Sequence, residues 1–227
     1  MVAWAIANAV GLVVVLVANC ALGSRIGVVS RAYDTPFTPA NSAFSIWSII
    51  YTLLGVTAVA QFYDTSIASD LRGWYIAQCI TTIAWLIAFT RKHIKTAAVA
   101  LVATTALVGV CYARTQKWRS IAYQAWPRVT TTVTLSIFWG WTVVASVISL
   151  ATLVPNQSIV ERFRALVWTT VWLAVLAVQV VLLDPLLSLP LAWAAAWRAT
   201  RGDSTAAAAA IAFALSFIGV QIGSCLQ

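Results

Sequence analysis

Residues 37–62 read FTPANSAFSIWSIIYTLLGVTAVAQF, a proline-marked turn that feeds an unbroken apolar run. That run is long enough to cross a hydrocarbon core, which takes roughly 20 residues of helix. Trp47 and Tyr51 sit at i and i+4, so one helical face carries both rings. An aromatic pair near the mouth of a membrane helix has two uses. It anchors the helix at the interface, or it lines a pocket.

The remainder of the chain has the same character. Hydrophobic residues make up 62% of the sequence and charged residues 9%, where a soluble domain carries about 25% charge. The chain therefore reads as a polytopic membrane protein. Apolar segments separated by short charged or proline-bearing breaks give eight spans, near 2–23, 42–62, 73–90, 94–113, 131–154, 164–183, 185–200 and 205–225. The segment 185–200 is short and holds Pro185 and Pro190, which suits a tilted or re-entrant piece. Membrane strands alternate in polarity over about ten residues, and these runs are continuously apolar. The predicted class is all-α, an integral membrane bundle of about eight transmembrane helices. The opening MVAWAIAN has no Lys or Arg, unlike a cleaved signal, so the first segment reads as a retained helix.

The formal charge is +8. Its cations lie in short breaks beside spans, where they meet headgroups and set topology. With no phosphate-cradling glycine loop, nucleic acid is not an expected partner. His93, the only histidine, lies between Lys92 and Lys95, a cationic setting that disfavours a protonated imidazole or a bound cation. Cys20, Cys79, Cys111 and Cys225 are scattered and lack the clustering that metal ligation needs. The six acidic residues all fall in or beside breaks, whereas proton relays and ion-coupled carriers hold carboxylates inside the membrane. Asp184, before Pro185, reads as a helix terminator. No catalytic residue and no metal site are predicted, so the expectation is a protein without enzymatic activity.

Aromatic residues are the abundant currency, with twelve tryptophans. Trp4, Trp74, Trp118, Trp126 and Trp197 fall near span ends and suit an interfacial belt. Trp85, Trp141, Trp172 and Trp193 fall deeper, where each indole N–H requires an acceptor from another helix or a ligand. The last span carries Ser216, Gly219 and Gly223, a small-residue stripe that lets helix backbones approach closely. Packing within the chain and contact with another chain are equally served by it.

Several segments, in order, resemble the tryptophan-rich sensory protein family, the TspO/MBR or translocator-protein group. PANSAFSIWSIIYTLLG looks like the family's proline-started second helix with its W-x-x-x-Y pair. ITTIAWLIAFTRKH is similar to its third, through Ala84 and Trp85. LSIFWGWTVVASVISLA resembles its fifth, through Trp141, Ala145 and Ser146, and DPLLSLPLAWAAAW a late helix of longer members. The resemblance implies a five-helix core over residues 1–154, with three further spans in 155–227. It also implies a pocket for a tetrapyrrole, a sterol or a similar flat lipophile, nominating Trp47, Tyr51, Trp85 and Trp141 as ligand-binding residues. The chain departs from the family at Thr38-Pro39-Ala40-Asn41, where compact members read P-P-G-W, and at Thr82 and Ser149, where Asn is usual.

Three functions compete. The first is a multi-pass membrane protein, in a membrane the sequence does not specify, that binds a hydrophobic small molecule. The second is an accessory subunit that keeps the fold within a homo-oligomer or a larger membrane complex. The third is a facilitative transporter, for which inward-facing charge and an inverted repeat are missing.

Overall fold

The computed structural model describes the backbone of residues 1–115, 125–182 and 184–225, with side chains up to 216 apart from 179, 180, 182 and 185. Trp118 lies outside the described residues. Nine α-helices occur among the described residues: α1 Val2–Leu22, α2 Ile26–Ala32, α3 Ile46–Tyr63, α4 Thr65–Thr90, α5 Ile94–Thr115, α6 Trp126–Ala151, α7 Gln157–Leu182, α8 Leu189–Ala199 and α9 Ser204–Cys225. No strand occurs among them.

Among the described residues five helical stretches are long and apolar enough to cross a membrane: Val2–Ala32, Asn41–Tyr63, Thr65–Thr90, Ile94–Thr115 and Trp126–Ala151. They form a closed bundle in which α4 packs on α1 and α5, α5 on α6, α6 on α3, and α3 back on α1. The 26 residues of α7 are also enough for a crossing at about 1.5 Å per residue. α9 packs against both α7 and α8. The predicted span 185–200 is a 3₁₀ turn, Pro185–Ser188, followed by the 11-residue α8. Asp184 meets Tyr112 of α5 at its start, and the Trp197 carbonyl meets Ala40 at its end, so this short piece returns toward the loop before α3.

Three predicted breaks are largely helical, the one before 164 because α7 already begins at Gln157. The segment after α1 forms α2, with Ile26 and Val29 buried. α4 begins at Thr65 rather than near 73, because the Asp64 carboxylate accepts the Ser66 N–H at 3.0 Å and caps it. The extra turns bury Ile67, Ala68 and Leu71 completely, and a kink at Arg72 (φ 42°) joins them to the membrane-crossing part. α6 likewise starts at Trp126, with Pro127 in its first turn, where a missing N–H costs nothing.

Hydroxyls and amides tie the helices where apolar burial discriminates little between lipid and protein. Asn8 of α1 donates to Gln61 of α3 at 2.7 Å, and Thr57 of α3 to Thr134 of α6 at 3.0 Å. Thr105 of α5 bonds both the Thr142 carbonyl (3.0 Å) and Ser146 Oγ (2.8 Å) of α6. Each such bond is worth about 0.6 kcal/mol in a membrane.

Asp184 does more than end a helix. It is fully buried, its Oδ2 accepts from Tyr112 (2.8 Å) and Ser136 (2.5 Å), and its Oδ1 accepts the Leu186 N–H (3.0 Å). Opposite, Gly140 of α6 lets the turn approach. A Cβ there would collide with the Leu187 carbonyl and lie 3.2 Å from Pro190 Cγ.

Candidate functional site

α3 enters the bundle through the 3₁₀ turn Asn41–Ser45, which points Trp47 toward α4 and α6. Trp47 is the hub of a ring cluster. It stacks on Tyr51 (centroids 5.3 Å) and on Trp85 (5.9 Å), and meets Trp141 and Phe138 edge-on, both at 6.2 Å. Trp85 stacks in turn on Phe89 at 5.7 Å, and Phe44 meets Trp141 edge-on at 6.2 Å. Edge-on and offset pairs of this kind contribute about 0.5–1.5 kcal/mol each beyond their burial. Tyr51 also accepts a hydrogen bond from Asn19 Nδ2, which ties the pair to α1.

The four nominated residues therefore meet, but they divide by role. A cleft between α2, α4, α5 and α6 is walled by Phe44, Trp85, Phe89 and Trp141, with Ala145 and Ser149 on α6. Trp47 and Tyr51 stand behind that wall and back it. The cleft is narrow, with a cavity volume of only about 50 Å³, although the space out to the open mouth is about 510 Å³. Pockets for drug-sized ligands measure about 300–1,000 Å³, so a flat ring enters only if the walls part.

Trp141 is 1% exposed, lines the cleft, and its indole N–H has no hydrogen-bond acceptor among the described residues. Among the described residues the Trp168 and Trp172 N–H groups also have no acceptor, although neither lines the cleft, whereas Trp193 donates to the Ala43 carbonyl at 2.9 Å. Thr82 is buried and donates to Gln78 at 3.4 Å, away from the cleft wall. Asn41 is exposed and lines a polar cavity that opens beside the cleft.

The loop between α2 and α3, which shapes the cleft mouth, is held by the C-terminal segment. Ala40 N–H donates to the Trp197 carbonyl (3.3 Å), and Arg198 and Arg201 donate to the Thr38 carbonyl (3.2 and 3.1 Å). Arg201 also grips Asp34 in a two-pronged ion pair, at 2.9 and 2.5 Å. The Arg201 hydrogen bond is the main reason the Asp34 carboxyl is held below its ordinary value of 3.8. Behind this, Asp203 caps α9 and pairs with Arg198 (3.2 Å) and Arg164 (3.3 Å). Sequence reasoning missed these braces, because Arg198 and Arg201 read as ordinary membrane-flanking charge. It missed Phe44 and Phe89 because a lone Phe in an apolar run carries no signal.

His93 is exposed in the α4–α5 turn, Cys79 and Cys111 are buried and unpaired, and no metal-ligating cluster occurs among the described residues. Ser216 is buried but donates to the Phe213 carbonyl of its own helix (2.8 Å). The surroundings of Gly219, Gly223 and Cys225 lie outside the described residues.

A helical bundle with five long apolar crossings and an aromatic-walled cleft defines a multi-pass integral membrane protein. Across residues 2–224 the chain matches the TSPO-like protein family, and it belongs to that family. No curated protein and no solved structure matches the chain.

Proposed function

We propose that this TSPO-like membrane protein binds a flat lipophile, of tetrapyrrole or sterol type, between α2, α4, α5 and α6, without turning it over. In this reading residues 1–154 form the ligand-binding core, and residues 155–227 brace the loop at its mouth. Trp85, Phe89 and Trp141 form the contact wall, and Trp47 and Tyr51 set the register of that wall. The observation that carries the reading is Trp141, a buried indole on the cleft wall whose N–H has no acceptor among the described residues. A buried unpaired donor costs about 1–3 kcal/mol. A ligand that parts the walls and offers an acceptor recovers much of that cost.

The test is a titration of the full chain, in phosphatidylcholine nanodiscs, with protoporphyrin IX dimethyl ester, a flat neutral probe. Saturable binding at one probe per chain is expected. Ala145→Phe, which fills the cleft, weakens it at least tenfold. Purely linear partitioning, identical for both proteins, would overturn the reading.

The small free space of the cleft favours a second reading, an accessory subunit of a larger membrane assembly. Gentle extraction followed by native electrophoresis then gives a band far above 24.4 kDa with no stoichiometric ligand. In that case Gly219→Leu with Gly223→Leu shrinks the assembly, because bulk on the small-residue stripe separates the helices.

A further inference from the structure

A separate cavity lies between α7 and α9 and shares no lining residue with the cleft. Its volume is about 340 Å³, within the range of about 300–1,000 Å³ typical of small-molecule pockets. Alanines form much of its surface, Ala165 on α7 and Ala208 and Ala212 on α9, and the tryptophans Trp168 and Trp172 of α7 complete the wall. No charged side chain lines it among the described residues. Of its two threonines, Thr205 is already spent on Asp203 at 2.7 Å.

Trp168 and Trp172 stand at i and i+4, so one face of α7 carries both rings to this space. Trp168 is 5% exposed and is held edge-on by Phe37 (5.7 Å) and Phe213 (6.4 Å). Trp172 is half-buried. Both indole N–H groups are nevertheless sealed off and have no acceptor among the described residues. In the hydrocarbon core water cannot supply one. The acceptors must arrive with an occupant, and the broad χ2 torsion of an aromatic side chain lets each ring turn its N–H toward it.

Charge and depth narrow the occupant. Arg164, one turn before Trp168, pairs with Glu161 (2.7 Å) and Asp203 (3.3 Å), and Asp203 also takes Arg198 (3.2 Å). Two cations meet two anions there, which leaves no counter-charge for an anionic headgroup. Trp168 and Trp172 lie about 6 and 12 Å further along α7, at about 1.5 Å per residue. A glycerolipid keeps its ester carbonyls in the interfacial region, level with Arg164 and out of reach of Trp172. We propose that the α7–α9 groove binds a quinone, a flat neutral ring whose two opposed carbonyl oxygens accept from the Trp168 and Trp172 indoles.

The experiment compares menadione, a methylated naphthoquinone, with methylnaphthalene, which shares its ring body and lacks both oxygens. Each is titrated into the full chain in phosphatidylcholine nanodiscs, and chain-free nanodiscs correct for partition into lipid. Menadione is expected to saturate at one per chain and to bind about five- to tenfold more tightly than the hydrocarbon, the scale of two hydrogen bonds in a membrane. Its infrared carbonyl band should shift to lower frequency on binding. Trp168→Phe and Trp172→Phe each keep a ring, remove a donor, and lower the preference about threefold. Trp74→Phe, at an exposed tryptophan outside the groove, leaves it unchanged. Ala208→Leu with Ala212→Leu fills the groove and weakens both probes. Equal affinity for the two probes means that any apolar molecule fills the space, and overturns the proposal. So does a preference that survives both α7 variants, or one that falls only in Trp141→Phe, which places the quinone in the cleft. If Trp168→Phe fails to fold without its contacts to Phe37 and Phe213, the half-buried Trp172 still decides the question through its affinity and its carbonyl band.

Discussion

Trp141 concentrates the tension between packing and function in a single side chain. Its ring is held edge-on by Trp47 and Phe44, yet its N–H is buried with no acceptor among the described residues. Trp141→Phe keeps an aromatic wall and removes the orphan donor. The lost ring volume and the removed penalty are both of order 1–3 kcal/mol and oppose each other. The melting temperature should therefore change little, while affinity for the neutral porphyrin ester falls about fivefold. A thermal melt and a titration on the same preparation check the two halves. At Asp34 the expectation concerns pH. Its folded pKa lies below the ordinary 3.8, so its pairing with Arg201 stabilises fully above that value and is lost as pH falls through the lower folded one. Melting temperature should hold from neutrality down to about pH 5, then decline, and Arg201→Gln should blunt that acid decline. The W-x-x-x-Y pair was legible because i, i+4 spacing puts both rings on one face whatever the helix packs against. Which ring reaches the cleft was not legible. That depends on how α4 and α6 fill the space around Trp47, information held by Trp85, Phe89 and Trp141 together.

At the scale of elements, the C-terminal segment is fastened to the bundle at two points. One is the Asp184 turn on α5 and α6, and the other is the Arg198–Arg201 region on the loop before α3. Gly140→Ala should break the first, because a Cβ would strike the backbone carbonyl of Leu187, which cannot swing aside as a side chain does. A destabilisation of about 1–3 kcal/mol is expected from such overpacking, read as a lowered melting temperature. Gly55→Ala, where an added Cβ meets nothing within 4 Å, serves as the control. Most long apolar helices were legible from run length alone. The helical 65–72 stretch was not, since its polar residues look like a break. The Asp64 cap and three buried apolar positions make it a helix all the same. α8 was recognisable only as short and proline-bearing. Its partners, Ala40 and Ala43, lie some 150 residues away, and no local pattern announces a contact of that range.

The whole molecule is a membrane bundle of the TSPO-like family with a thin aromatic cleft and a braced polar mouth. The braces predict a closed resting state. The loop before α3 is fixed by four hydrogen bonds and an ion pair from the C-terminal segment, so entry of the proposed ligand should be slower than diffusion through the bilayer alone would allow. The measurement that goes most directly to the central claim is where a flat lipophile sits. A photoreactive derivative of the porphyrin ester, cross-linked to the full chain in nanodiscs with and without excess unlabelled ester, can be mapped by peptide mass spectrometry. The account predicts competable labelling on α4 near Trp85 and Phe89 and on α6 near Trp141 and Ser149. Competable labelling confined to α7 and α9, or none that the unlabelled ester displaces, would contradict it.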